Sequence, residues 1–320
     1  MTLIPVTVVI NTLNRCERLE RILVALRQQT YPRFEVVVVN GPSTDGTAEM
    51  LEQFADSARL AACVEANLGA SRNIGVQQAA GDIVAFIDDD GIPPNDWIEL
   101  LAIAFENEEV GAVGGPVFDV PLARIDWAVC TCSRLGLPNT RSPSPIGRYA
   151  GFGSDPFPYL AGCNMSFRRN ALQMVGGFNS SLSYGYDDVE VCCRLNDAGY
   201  RIEYVENAVV LHDRAANALR DEQQVVKDPY PLIRSRAIFA AQCENSSYSL
   251  DEVALHIEQW EAEWRSYSLT HLESGRFTVQ EHQSFVARAR AGTIDGLAFG
   301  QPREFATIGP PAIGKFRQYR

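Results

Sequence analysis

Lysine is nearly missing from this chain of 320 residues: among its 28 basic residues only Lys227 and Lys315 are lysines. A Schiff-base or P-loop mechanism in the first 220 residues is therefore excluded. Positive charge is scarce altogether, with 40 acidic against 28 basic residues and a net charge of −12. A protein that tracks phosphates along DNA or RNA shows the reverse balance, so no nucleic-acid partner is expected. The eight cysteines include no CxxC and no zinc-finger spacing, and the close pairs Cys130/Cys132 and Cys192/Cys193 are sterically poor for a local disulfide. They read as reduced thiols, mostly small buried apolar residues. No apolar run approaches the ~18 residues that span a bilayer. The run at 3–10 is short, contains Pro5 and has no basic residue before it, so it reads as a buried strand and not a signal peptide. A cytoplasmic chain is expected, with peripheral contact at the inner face of a membrane left open.

What is present is ordinary globular composition, 46% apolar and 21% charged. The continuous apolar runs at 6–10 and 35–40 mark strands buried on both faces. Between them Leu19, Ile22, Leu23 and Leu26 recur at helical spacing, which makes a βαβ unit. The alternation continues. A helix carries Ala48, Leu51 and Phe54, and strands are predicted at 60–64, 83–87 and 110–113, with helices at 70–79 and around 97–105. A helix at 188–198 and a strand at 201–211 follow. Such alternation argues for a doubly wound α/β sheet with its ligands at the carboxyl ends of the strands. Residues 116–160 break the pattern, hold most of the central Pro and Gly, and read as a mobile functional segment. The last hundred residues look helical: Ser249-x-x-Glu252 and Thr278-x-x-Glu281 fit capping boxes, and Val253, Ile257, Trp260 and Trp264 form a stripe expected to pack on the core.

The densest chemical signal is Asp88-Asp89-Asp90-Gly91, three carboxylates directly after an apolar strand. Packed together they repel unless a cation neutralises them, and an oxygen-bound Mg²⁺ or Mn²⁺ bridging a diphosphate meets that need, as against a plain exposed acidic turn. His212 ends a strand that reaches the same sheet edge and is either a further metal ligand or a structural histidine. Asp187-Asp188 opens a helix, either as acids complementing its dipole or as a general base for an acceptor hydroxyl. The turn at 41–47 has the length of a Walker A loop without its lysine, which leaves a turn suited to part of a nucleotide. Arg72 and Asn73 lie where a phosphate could be reached, or on a helix surface.

Taken in order, VTVVINTLNR (6–15), QQTYPRFEVVVVNGPSTDGT (28–47), NLGASRNIGVQQAAGDIVAFIDDDGIPP (67–94), AGCNMSFRRNALQMVGGF (161–178) and YDDVEVCCRLNDAGY (186–200) resemble the family 2 glycosyltransferases of the GT-A fold. The resemblance covers about residues 5 to 215. It implies a Rossmann-like, mostly parallel sheet flanked by helices over residues 1–220, with 116–160 as the variable acceptor region and 221–320 as a helical extension. It implies transfer of a single sugar, with inversion, from a nucleotide-diphosphate sugar to a glycan, lipid-linked or small-molecule acceptor, as in cell-surface glycan synthesis. Asp88 and Asp90 fall on the family's metal-binding DxD, His212 on a histidine that completes the metal site in some members, and Asp188 on the presumed base. Thr12, Asn14 and Asn40 fall where the nucleotide is contacted, Arg72 where base or phosphates are, and Asn164 would face the donor or acceptor sugar. Asn40 stands where the family has a carboxylate, so only its neutral amide oxygen is left to accept from the base. The Gln-x-x-Arg-Trp and the membrane spans of processive synthases are missing, which favours a single-sugar transferase. Two rival readings are a sugar-phosphate nucleotidyltransferase, which needs a Gly-rich basic loop that NTLNRCERL lacks, and a non-catalytic nucleotide-sugar-binding module.

Overall fold

The computed structural model describes residues 3–141, 152–182, 184–299 and 315–320. The Ser-Pro repeat at 142–145 and most of the patternless tail lie outside the described residues. In chain order the elements are β1 (Val6–Thr12), α1 (Cys16–Leu26), β2 (Phe34–Asn40), α2 (Thr47–Leu51), β3 (Arg59–Ala62), α3 (Leu68–Gln78), β4 (Ile83–Phe86), β5 (Gly91–Ile92), α4 (Trp97–Ala104), β6 (Val110–Gly114), β7 (Val117–Asp119) and β8 (Arg124–Trp127). There follow β9 (Cys130–Cys132), β10 (Pro138–Asn139), β11 (Phe157–Tyr159), β12 (Met165–Arg168), α5 (Arg169–Met174), α6 (Asp187–Asp197), β13 (Arg201–Tyr204), β14 (Val210–His212), α7 (Tyr230–Gln242), α8 (Leu250–Glu273) and α9 (Val279–Ala298).

The main sheet has the order β13-β6-β12-β4-β1-β2-β3 and is parallel except for β12, which runs against both of its neighbours. It is a mixed α/β architecture with a mostly parallel sheet between helices, as the alternation predicts. Burial explains the unbroken apolar runs. Val8, Ile10, Val36 and Val38 enter one core with Leu19, Ile22, Trp97 and Phe105. Their alternate neighbours Val9, Val37 and Val39 enter the opposite core with Val76, Phe86 and Phe178. Both faces of these strands are covered, so neither can be polar. Helix α3 sits so close to β1 that a Cβ on Gly75 would stand 2.4 Å from Val9 Cγ1, which only glycine tolerates.

Two expectations need correcting. The single strand predicted at 201–211 is two: β13 joins the main sheet, and β14 joins a smaller sheet of order β5-β14-β7-β8. A turn around Glu206 and Asn207 breaks the run, and this break carries His212 to the site. The second is that 116–160 breaks the pattern altogether: its described residues include five short strands, β7 and β8 in that smaller sheet and β9, β10 and β11 in another. Strands of two to four residues leave no periodicity to read.

Both capping boxes form, at Ser249 on α8 and Thr278 on α9. Val253 and Ile257 are buried against Ile233, Ala237 and Leu135, with Trp260 and Trp264 packed at the edge. Among the described residues no helix is long and apolar enough to cross a membrane.

Candidate active site

Strands β1 and β4 run side by side and end at the same edge. There β4 passes into Asp88, Asp89 and Asp90, in a turn closed by the Gly91 amide donating to the Asp88 carbonyl over 2.9 Å. A cavity of about 510 Å³ opens here, lined by Thr12, Asn14, Arg15, Asp88, His212, Tyr184 and Arg220 among others.

The three carboxylates face different neighbours. Asp88 is the most exposed, with 38% of its side chain reached by solvent. Asp89 turns inward, where Thr12 Oγ1 donates to it over 2.7 Å and Arg15 Nη1 over 3.1 Å. Burial pushes its pKa up to about 7, Arg15 opposing and Asp90 adding repulsion. Asp90 Oδ2 accepts from Arg15 Nη1 at 2.6 Å and from the Ala215 amide at 3.0 Å. Burial works against ionising Asp90, yet His212, Arg15 and that amide hold it well below the usual carboxylate range.

His212 Nε2 lies 3.0 Å from Asp90 Oδ1 and 3.8 Å from Asp88 Oδ2. The short approach is not aligned as a hydrogen bond: Asp90 Oδ1 is a buried oxygen without a hydrogen-bond partner, and His212 Nδ1 is likewise orphaned. Two ligands bonded at about 2.1 Å and set at right angles around one ion sit roughly 3.0 Å apart. The spacing and the unsatisfied oxygen thus fit a divalent cation held by Asp88, Asp90 and His212. Burial alone would lower the imidazole pKa, but Cys163 and Asp90 raise it to about 11.

Behind Asp88 lies a second acidic pair. Tyr186, in the left-handed region at φ 64°, turns the chain into α6 and sets Asp187 and Asp188 in its first turn. Asp187 is buried and paired with Arg72 Nη1. Asp188 is half-buried, its Oδ2 accepting from the Gly162 amide at 2.9 Å and its Oδ1 from the Val189 amide at 2.8 Å. Burial raises the Asp188 pKa, with Arg72 pulling the other way. A Cβ on Gly162 would stand 2.8 Å from Arg72 Nη2 and 3.4 Å from Asp188 Oδ2, so the missing side chain leaves room for both.

Other expected residues are placed differently. Arg72 is only 3% exposed and serves acids and backbone: it pairs with Asp187, donates to the Gly162 carbonyl over 3.3 Å and lies 3.9 Å from Asp88. It is thus a buried bridge between the two acidic pairs, not a surface group reaching out to base or phosphates. Asn164 faces no sugar, being fully buried. It accepts from Trp97 Nε1 at 2.9 Å and donates to the carbonyls of Pro116 and Ala208, which ties three segments together behind the site. The Asn40 amide oxygen accepts from Ser43 Oγ at 2.7 Å. Asn14, at φ 55°, holds the Thr44 amide with its side-chain oxygen and keeps the 41–47 turn at the cavity rim. Thr12 is 5% exposed and committed to Asp89.

Two residues of the cluster are not singled out by the sequence: Arg15 and Cys163. The signal for Arg15 was available, since three adjacent carboxylates demand a cation and Arg15 is the first basic residue after β1. Nothing local marks Cys163, whose neighbours come from distant strands.

The model of glycosyl transferase family 2 matches residues 7–176, and that of the N-terminal domain of galactosyltransferase matches 152–214. Among curated proteins the chain is similar to glycosyltransferase AglE of Haloferax volcanii, 29% identical over 65% of this chain and 66% of that protein. It is also similar to the glucosyl-dolichyl phosphate glucuronosyltransferase of the same organism, at 27% identity over 65% of this chain and 68% of that protein. The pre-mycofactocin glycosyltransferase of Mycobacterium tuberculosis is 30% identical over 68% of this chain, which spans 44% of that protein. In fold the chain is similar to a mannosyltransferase of Pyrobaculum calidifontis solved with GDP-Man and Mn²⁺, TM-score 0.55 at 18% identity over 92% of this chain and 88% of that one. It is likewise similar to S. aureus TarS 1–349 with UDP-GlcNAc, TM-score 0.57 at 18% identity over 92% of this chain and 81% of that one. On the strength of the first match, which covers more than half of its length, this chain belongs to glycosyl transferase family 2.

Proposed function

We propose that residues 1–220 transfer a single sugar from a nucleotide-diphosphate sugar to an acceptor hydroxyl with inversion, and that residues 221–320 form a helical extension. The observation that carries this is the convergence of Asp88, Asp90 and His212 on the wall of the 510 Å³ cavity, with Asp188 held beside them through Arg72 and Gly162. Asp88, Asp90 and His212 would hold the divalent ion, Mg²⁺ or Mn²⁺, which when bound supplies positive charge beside the donor diphosphate. Thr12, Asn14 and Arg15 line the part of the cavity that would receive the nucleotide. Asp188 is the base. Its half-buried carboxylate, with a pKa raised by burial and oriented by two backbone amides, takes the acceptor hydroxyl proton as that oxygen bonds the anomeric carbon. The bond from that carbon to the diphosphate breaks in the same step, and the nucleoside diphosphate leaves. Arg72 pairs with Asp187 and holds it in the buried side of the site, so that Asp188 is the carboxylate left to face the acceptor. A lipid-linked or other glycan acceptor is supported by the name of the glucuronosyltransferase relative, and a role at a cell-surface glycan, in the cytoplasm or at the inner membrane face, fits the same reading.

The test is nucleoside-diphosphate release from UDP-, GDP- and dTDP-sugars with Mn²⁺ or EDTA. Release from one donor, abolished by EDTA, is expected. Asp188→Asn should cut transfer by at least about 10²-fold, the usual loss when a general base is removed, and leave the fold intact. Full transfer in Asp188→Asn, or release that ignores EDTA, overturns the reading.

A further inference from the structure

The cysteines are expected to be mostly small buried apolar residues, and Cys163, though buried, has polar neighbours as well. Its Sγ, a carboxylate oxygen of Asp88 and a ring nitrogen of His212 all lie within 4.8 Å of one another. The three come from separate parts of the fold: Asp88 after β4, Cys163 between β11 and β12, His212 at the end of β14. Atoms bonded to one ion at about 2.0–2.3 Å are at most roughly 4.6 Å apart, so the group needs only small adjustment to close on a cation. Cys163 is 4% exposed and His212 7%. The orphaned Asp90 Oδ1, in a side chain 3% exposed, stands 3.0 Å from the same imidazole. Cys163 thus packs in a small apolar cluster with Val117 and Ala161 while its sulfur stays within reach of a carboxylate and an imidazole.

We propose that Cys163 is a ligand of the cation in this centre, which makes it a mixed sulfur, nitrogen and oxygen site. This rests on the metal-dependent reading given above. Ligation replaces the thiol proton by a sulfur–metal bond, and the proton leaves to solvent. A thiolate in the set disfavours Mg²⁺, tolerates Mn²⁺ and strongly favours Co²⁺, Zn²⁺ and Cd²⁺. Zinc and cadmium should therefore displace Mn²⁺ from the full-length protein at low concentration.

The test is titration of the metal-free full chain with Cd²⁺, followed by the ultraviolet sulfur-to-cadmium charge-transfer band, and with Mn²⁺, followed by electron paramagnetic resonance. The wild type should develop a band saturating near one equivalent. Cys163→Ser should lose it, with Cd²⁺ affinity down by more than about 10-fold, and still bind Mn²⁺. Cys16→Ser, which alters the one cysteine that is not buried, should keep the band. X-ray absorption at the cadmium edge of the wild type, which needs no variant to fold, should count one sulfur neighbour. Mn²⁺ binding with no sulfur neighbour to cadmium, or a band that survives in Cys163→Ser, overturns the role of Cys163 and leaves the transferase reading standing. Failure of the wild type to bind either ion overturns both.

Discussion

Arg15 shows how much of this site is decided by single residues. Its Nη1 bridges Asp89 at 3.1 Å and Asp90 at 2.6 Å, with 18% of its side chain exposed. Removing one partner of such a group strands the others, at about 3 kcal/mol or more when the pair is buried. Arg15→Gln is therefore expected to lower the unfolding free energy of the metal-free protein by about 3 kcal/mol. The same change should tighten Mn²⁺ binding, because the ion becomes the main positive charge facing three carboxylates. Urea unfolding with and without Mn²⁺ checks both signs: ligand linkage predicts that Mn²⁺ restores more stability to the variant than to the wild type. An unchanged Mn²⁺ response would mean that Arg15 and the ion do not share the carboxylates. That Asp88, Asp90 and His212 line one cavity was legible in the sequence, from residue type and from their place after strands. Arg72 and Asn164 were misplaced for a physical reason. Sequence tells that a polar side chain is present, but whether it faces ligand or bonds to buried carbonyls depends on strands that meet only in the fold.

At the scale of elements the caps offer a clean measurement. In α8 and α9 the Ser249 and Thr278 hydroxyls accept from the amides three residues on, and Glu252 and Glu281 reach back to the Ser249 and Thr278 amides. Those amides, and the two hydroxyls, hold both glutamates below their ordinary pKa. A carboxylate depressed in the folded state contributes stability that is complete above its unfolded value, 4.5, and that disappears as pH falls through the folded value. The double variant Glu252→Gln, Glu281→Gln should thus melt lower than wild type at neutral pH, with the gap narrowing as pH drops below about 4.5. Ser249→Ala should cost about 1 kcal/mol at neutral pH. Thermal melts across that range give the answer, and a gap that stays constant with pH would show that the caps are not ionic. These helices and the long strands β1 and β2 were readable because each carries a full period and its own stop signals. The short strands β7 to β11 were not. Two to four residues hold no period, and what makes them strands is the neighbour they pair with.

The whole molecule is closed by a contact that no local pattern announces. Residues 315–320 return to the amino-terminal side of the sheet, where the Tyr319 amide donates to the Phe34 carbonyl over 3.0 Å. The Tyr319 ring lies 5.9 Å from that of Phe34, and its hydroxyl donates to the Leu23 carbonyl over 2.8 Å. Beside it the Arg317 amide donates to Glu35 Oε2 over 3.0 Å. Glu35 is 1% exposed and accepts on its other oxygen from Thr7 and the Ala80 amide, so this segment completes the satisfaction of a buried carboxylate. The sequence separation here is 282 residues, which is why the segment looked patternless: its apolar ring and its amides are matched to partners far along the chain. Phe34 begins β2, whereas the cavity opens where the parallel strands β1 and β4 end, so clasp and site lie at opposite strand ends of the main sheet. Tyr319→Ala is therefore expected to cost about 3 kcal/mol, the usual figure for truncating a buried aromatic ring. Deleting 316–320 should cost more, since it also strips Glu35 of an amide donor. Neither change should alter nucleoside-diphosphate release measured well below the melting temperature. Urea midpoints set against turnover at low temperature separate the two effects. Turnover that falls in proportion to stability lost would show that the clasp reaches the site through the sheet, and that the two ends are not mechanically independent.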